Sequence, residues 1–375
     1  MQQLRAHTIL LTVAGSRAQG MHVADSDVDL RGVAVPGEAE LFGFLHRFEQ
    51  ADQPGDMDVF ADLLTDEERA ATRRTKLEGS VYALAKFGRL AADCNPNMLE
   101  ALFCRDAEVR RVTPLGEALR ARRDLFLSGR ARHSFTGYAL GQLRRIRSHR
   151  AWLLNPPTAA PSRADFGLPE RSLLPKDQLA AAEAAVARKL DEWNPDWGPL
   201  PHSEIVRLQG QLADFLAEVL RSSETAWHAA ARAVGLDDNL IAVMDRERAY
   251  QNASRGYQQY RSWKRRRNPA RAALEARHGY DTKHGAHLVR LLRMGREILE
   301  TGQVHVWRGD IDADELLAIR AGAWSYDALV EFAEREAQAL QDAATPAAVP
   351  DKPDLDAIDA LVVELTERFL AAEGG

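Results

Sequence analysis

Two carboxylates stand two residues apart, Asp27 and Asp29, in the run Ser26-Asp27-Val28-Asp29-Leu30-Arg31-Gly32-Val33. On a strand, side chains at i and i+2 share a face, so the pair would sit side by side. Mg²⁺ takes oxygen ligands, usually one or two carboxylates completed by water and substrate phosphates. Such a pair therefore suits holding a divalent ion against a triphosphate. Just upstream, the apolar run Thr8 to Val13 leads into Gly15-Ser16-Arg17-Ala18-Gln19-Gly20. A glycine lets backbone approach phosphates closely, Ser16 adds a hydroxyl, and a helix start offers N–H donors to an anion. Taken alone, S-D-x-D reads first as a polar turn at a strand end. The Gly-Ser turn after an apolar strand shifts the reading to metal and phosphate chemistry.

A second cluster lies more than half the chain away. On a helical wheel of Tyr280 to Ile298, Leu288, Leu291, Leu292, Gly295 and Leu299 form a buried stripe that includes His284. Lys283, His287, Arg290 and Met294 gather on a different face. Two cations and a histidine within two turns suit triphosphate oxygens or a nucleic-acid backbone; a basic solvated face is the alternative. His284 reads as a core histidine and His287 as the one that touches ligand. Arg271 follows Asn268-Pro269, a helix start, and a guanidinium there can clamp phosphate in bidentate fashion. Tyr82, Lys86 and Arg89 share a polar face if one helix carries them, which would let Lys86 reach phosphate. Tyr257, Tyr260 and Trp263 recur beside Arg261 and Lys264–Arg267, a pattern that stacks bases or packs a core.

The elements that must position these residues follow from periodicity. The chain has 375 residues, enough for a sizeable core and two domains. Residues 7–35 read as strand, turn, strand. Phe42 to Thr75 has little periodicity and reads as loops, with one strand near Met57–Phe60. A helical pattern runs from Glu78 to Cys94-Asn95-Pro96, a short helix covers Asn97 to Phe103, and Pro114 opens another. Further helices are predicted over 130–152, 175–192, 203–233, 238–265, 269–277 and 281–300. Val304–Trp307 is a short strand or an extended lead into a helix over 312–320, and a last amphipathic helix ends near Ala371. The resulting fold class is α/β (α+β): a small α/β domain over 1–112, a large helical domain over 113–340, and an acidic C-terminal tail and helix over 341–375.

Composition excludes several classes. No run of about 18 apolar residues exists, so no membrane span is expected. The N-terminus lacks a secretory pattern. The only cysteines, Cys94 and Cys104, make neither a disulfide framework nor a metal set, and read as reduced thiols of a cytoplasmic protein. No Walker loop, zinc-binding pair or nucleophile elbow is present. The net charge of −6 hides an asymmetry. Arg246 to Arg296 holds 14 Lys/Arg against 3 Asp/Glu, Arg120 to Arg150 holds nine Arg and one Asp, and Asp310 to Gly375 holds 16 Asp/Glu against 4 Lys/Arg. The basic blocks form a polyanion surface or pair with the acidic C-terminal part.

Gly15-Ser16 followed by Asp27-x-Asp29 resembles the signature of the DNA polymerase β-type nucleotidyltransferase superfamily. The string from Ser26 to Val33 is similar to one branch, the bacterial and phage nucleotidyltransferases associated with RNA repair. The resemblance continues in Lys86-Phe87, in Asn95-Pro96-Asn97-Met98-Leu99-Glu100, in Asn268-Pro269-Ala270-Arg271 and in Tyr280 to His287. It implies a mixed sheet flanked by helices and transfer of a nucleoside monophosphate from an NTP, with Mg²⁺ or Mn²⁺. It places Gly15 and Ser16 at the triphosphate and makes Asp27 and Asp29 metal ligands. The third acid it implies is Glu78, with Asp58 as the alternative. Lys86, Arg271, Lys283, His287 and Arg290 would contact phosphates or acceptor. The implied acceptor is an RNA end; a protein, a small molecule, or a catalytically inactive nucleotide- or RNA-binding role remain alternatives.

Overall fold

The computed structural model describes residues 2–24, 26–172, 175–193, 226–267, 269–342 and 348–373. Thr8–Ala14 (β1) is buried at all seven positions, as a strand covered on both faces must be. It pairs antiparallel with Val28–Ala34 (β2) on one side and Val109–Val112 (β5) on the other. Leu77–Ala83 (β4) lies parallel to β2, and the two-residue Gln50–Ala51 (β3) closes the edge, giving the order β3-β4-β2-β1-β5. This is the expected mixed sheet. Alternate residues of β1 feed two cores: Leu11 and Val13 join Leu30, Met57, Phe60 and Val81 on one face, while Leu10 joins a larger helical core on the other.

Two sequence expectations near the sheet are corrected. Met57–Phe60 is not a strand but part of a 3₁₀ turn, Asp56–Leu63. Gly55 enters it with φ +92, and Met57 and Phe60, three apart, are its buried positions, which matches a three-residue period. The stretch from Glu78 is not helical: β4 runs to Ala83, and only Leu84–Ala92 is helix. Val81 and Ala83 point into the core as strand alternation requires. A side chain on Gly79 would strike Leu30 O at 2.4 Å.

Gly15–Ala18 (α1) is a single turn after β1. Leu84–Ala92 (α2) and Pro96–Phe103 (α3) follow β4; Asn95 caps α3 by accepting Asn97 N–H at 3.0 Å. Ala131–Leu154 (α4) is long and ends the first stretch. Lys176–Trp193 (α5), Ala226–Ala233 (α6) and Asp238–Arg266 (α7) come next, then Pro269–His278 (α8), Thr282–Thr301 (α9), Ala313–Arg320 (α10), Tyr326–Asp342 (α11) and Leu355–Glu373 (α12). Most of the helix expected over 203–233 lies outside the described residues. Val304–Trp307 is extended and leads into α10.

Compactness divides the chain differently from the boundaries expected at 112 and 340. Residues 1–154 and 268–375 form one unit, and 155–267 a second. In the first unit α9 packs along α4, and Gly295 permits the approach, since a Cβ there would lie 2.8 Å from Phe135 Cβ. α12 packs on α2, burying Ile358, Leu361, Leu365 and Phe369. Much of the charge asymmetry is internal to this unit: Arg147 pairs with Glu334 at 2.7 Å, Arg296 with Glu336 at 2.8 Å, and Arg293 with Asp312 and Glu315, each at 2.8 Å. In the second unit, Val186, Ala230, Ala231 and Ile241 form a small core, and Arg163 grips Glu247 with both guanidinium nitrogens.

Candidate active site

Gly15 adopts φ +62, a conformation that favours glycine. A Cβ added there would lie 2.6 Å from Asp29 Oδ2, so the Asp29 carboxylate rests against the turn itself. β1 and β2 bring this about by pairing Ala14 with Asp29. The turn is closed by Gln19 N–H donating to Gly15 O at 3.1 Å and Met21 N–H to Ser16 O at 2.8 Å. Trp307 then packs over Gly20, and Arg308 N–H donates to Gln19 O at 3.0 Å. The extended segment before α10 thus holds the back of the turn.

Asp27 stands one residue before β2, and its Oδ1 accepts Lys76 N–H at 3.3 Å. Burial raises the Asp29 carboxyl above its ordinary range, and the charge of Asp27, with a smaller contribution from Glu78, pushes the same way against Arg31 and Lys283. Glu78 is the β4 residue directly opposite Asp29. Its side chain is half exposed, 3.4 Å from Lys76, and lines a shallower neighbouring depression together with Asp29 and Arg31. Asp58 lies on the 3₁₀ turn and lines neither that depression nor the main cavity.

Asp27, Asp29, Gly15 and Ser16 form one wall of a cavity of about 330 Å³. α9 supplies the facing wall with Lys283, His284, His287 and Arg290, and α4 adds Gln142 and Arg145. Arg290 is fully buried. It donates to Glu100 Oε1 on α3 at 2.7 Å and to His287 Nδ1 at 3.0 Å, while Glu100 Oε2 accepts Gln19 Nε2 at 2.9 Å. Glu100 therefore ties α9 to the turn that carries Gly15 and Ser16. Because a guanidinium only donates, His287 Nδ1 must accept, and its proton sits on Nε2. Burial first, then the charge of Arg290, holds the His287 pKa well below the ordinary imidazole value, so this histidine is neutral at pH 7.

Several candidates sit differently from expectation. Lys86 does not line the cavity; it pairs with Glu49 at 3.0 Å. The face expected to join Tyr82, Lys86 and Arg89 does not exist, because Tyr82 is on β4, where its hydroxyl accepts from Arg31 at 3.4 Å. Arg271 begins α8, but its side chain lies outside the described residues. Arg290 is packed against an acid rather than presented on an open face, and His284, read as a core residue, lines the cavity. Sequence reasoning missed Glu100 and Gln19. Glu100 interrupts the apolar run Met98-Leu99-Glu100-Ala101-Leu102, and an acid on a buried helix face is the signal that a cation partner exists.

On α7 the ring centroids of Tyr257, Tyr260 and Trp263 follow one another at 6.2 and 6.0 Å, with Arg267 over Trp263 at 4.5 Å. Tyr260 is buried, so the series is partly core. Tyr257, Arg261, Lys264 and Arg265 line a depression of about 310 Å³ within the same unit.

Comparison with known families bears on the turn, the acid pair and the sheet together. Residues 1–153 match the model of the RNA repair pathway DNA polymerase beta family. This stretch is similar to that family. The similarity is to a branch of the polymerase β-type nucleotidyltransferases associated with RNA repair. The family's match holds Gly15, Ser16, Asp27, Asp29, Glu78 and Glu100 and ends within α4; Lys283, His287 and Arg290 lie beyond it. No curated protein and no solved structure matches the chain. No helix among the described residues is long and apolar enough to cross a membrane.

Proposed function

We propose that the protein transfers a nucleoside monophosphate from an NTP to an acceptor hydroxyl, an RNA end, and releases pyrophosphate. The observation that carries this reading is the Asp29 carboxylate seated on the Gly15 turn, facing Lys283 and His287 across one cavity. Nucleotidyltransferases of this superfamily typically use divalent metals, and the acids present fit one. Burial first, and then the charge of Asp27, raise the proton affinity of Asp29, and a bound dication would offset both. Asp27 and Asp29 would hold Mg²⁺ or Mn²⁺, and Glu78 is the nearest further acid along the sheet. Such an ion, when bound, activates the attacking oxygen and stabilises the leaving pyrophosphate.

The chain's own groups do the rest. Gly15 admits the triphosphate to the backbone, and Ser16 offers a hydroxyl. The Nε2–H of neutral His287 donates to a phosphate oxygen, and Lys283 and Arg145 supply positive charge. Arg290 positions His287 instead of touching phosphate. The acceptor oxygen forms a bond to the α-phosphorus as the bond to pyrophosphate breaks, and the acceptor's proton is released. An RNA acceptor is supported by the family's repair association and by the aromatic and basic residues of α7. The buried, unbridged Cys94 and Cys104 suit a reducing compartment, the cytoplasm.

The test is incubation with each α-labelled NTP and Mg²⁺ or Mn²⁺ against RNA, protein and small-molecule pools. Label should enter RNA. Label in protein or small molecules moves the acceptor, and no label in any pool ends the reading, as would near-wild-type transfer by Asp27→Ala and Asp29→Ala.

A further inference from the structure

Beyond the acid pair, the turn joining α8 to α9 gathers a second set of metal-ligating side chains. Glu275 sits near the end of α8, Asp281 caps α9, and His149 comes from the last part of α4. One ligand atom from each lies within 4.8 Å of the other two, the only such group of three among the described residues. Both carboxylates are only 1% exposed. The backbone fixes them in place. Gly279, at φ +74, reverses the chain between the two acids, and its N–H donates to Glu275 O at 2.8 Å. Arg150, next to His149, donates to Gly279 O at 2.7 Å and so ties α4 to the same turn. Asp281 divides its carboxylate: Oδ1 accepts His284 N–H at 3.1 Å, while Oδ2 lies 3.9 Å from His149 Nδ1 and 3.7 Å from His284 Nε2. Trp152 stacks on the His149 ring with centroids 5.5 Å apart.

Metal–ligand bonds of about 2.0–2.2 Å put the ligand atoms of one ion roughly 3–4 Å apart, so small side-chain movements close this set on a cation. Two imidazoles beside two carboxylates favour zinc and its first-row neighbours over Mg²⁺, which prefers oxygen alone. We propose that His149, Glu275 and Asp281, with His284 as fourth ligand, form a binding site for a zinc-class divalent transition-metal ion, separate from Asp27 and Asp29. The ion closes the α4–α8–α9 junction. Because His284 also lines the cavity, it sets the first turn of α9, which carries Lys283 and His287. Nucleotide transfer is not needed for this site, and its readout needs no nucleotide.

The test uses the full chain stripped with a chelator and titrated with Zn²⁺, with bound metal and thermal stability measured. An Asp27→Asn/Asp29→Asn variant should keep one equivalent of Zn²⁺ and the accompanying rise in Tm. Glu275→Gln and His149→Gln should each bind it about tenfold more weakly or worse. Their circular dichroism without metal is compared with that of stripped wild type. If either variant does not fold, Co²⁺ titration of the Asp27→Asn/Asp29→Asn chain decides, through the presence or absence of bands from imidazole-ligated, low-coordinate cobalt. A stripped wild-type chain that binds no Zn²⁺, or binding lost with Asp27 and Asp29 but kept in Glu275→Gln and His149→Gln, overturns the proposal.

Discussion

Burial and the charge of Asp27 make ionised Asp29 unfavourable for the fold, while the proposed transfer needs it as a metal ligand, and one substitution separates the two. Its folded pKa is raised above 3.8, so ionising it near neutral pH costs folding free energy that protonation at low pH restores. Asp29→Asn should therefore raise the Tm of the metal-free chain at pH 7 while cutting transfer at least a hundredfold, since a metal-centred contribution of several kcal/mol is lost. Added Mg²⁺ should raise the Tm of wild type and leave the variant unchanged. His287 titrates with the opposite consequence. Its pKa is depressed in the folded state, so the unfolded chain takes up a proton first as pH falls below about 6.5. Stability should drop from that point by up to about 1.4 kcal/mol per pH unit. Denaturant melts from pH 7.5 to 5 should show a shallower loss in His287→Gln. At this scale the acid pair and its glycine are legible because chemistry and spacing coincide over fifteen residues. Arg290 is not, because its face on a helical wheel looks the same whether it meets a ligand or Glu100, 190 positions away in sequence.

Helix α9 is tied to α3 beside the cavity by the buried ion pair between Arg290 and Glu100. Arg290 is fully buried and Glu100 nearly so. Removing one partner strands the other charge, so Glu100→Gln should destabilise the chain by about 3–5 kcal/mol. It should also release His287 from its fixed tautomer, which a changed nitrogen-15 chemical-shift pattern of the imidazole would report. Element boundaries show where patterns in the sequence mislead. Val81, Leu84, Phe87, Gly88 and Ala91 keep helical spacing across a junction at which strand becomes helix. The competing clue was the alternation of Gly79, Val81 and Ala83 with Glu78, Ser80 and Tyr82. It loses on inspection because a glycine contributes nothing to an apolar pattern, although it is the residue that lets β4 approach Leu30 and Met57. Helices α3 and α9, by contrast, open at caps that side-chain type marks in the sequence, Asn95 and Asp281, and their places follow directly.

The molecule as a whole owes its first unit to residues at both ends of the chain. α12 buries four large side chains against the helices beside the sheet, and Gly88 lets Val362 come within 3.1 Å of where a Cβ would stand. Each such side chain contributes about 1.5–3 kcal/mol, and the four together rival the stability of an ordinary domain. A chain ending at 354 should therefore be insoluble or lack a cooperative melt, whereas Glu364→Ala, which removes an exposed pair with Arg122, should leave the melt nearly unchanged. Composition showed the charge asymmetry but not its partners, which only the fold brings together. The split of the first unit around residues 155–267 also has a consequence on the ribosome. α4 is made before that insertion and its packing partner α9 after it. At about 5–20 residues per second, the apolar face of α4 waits roughly seven to thirty seconds during synthesis for the helix that will cover it. Nascent chains stalled between those points should be the ones that chaperones hold.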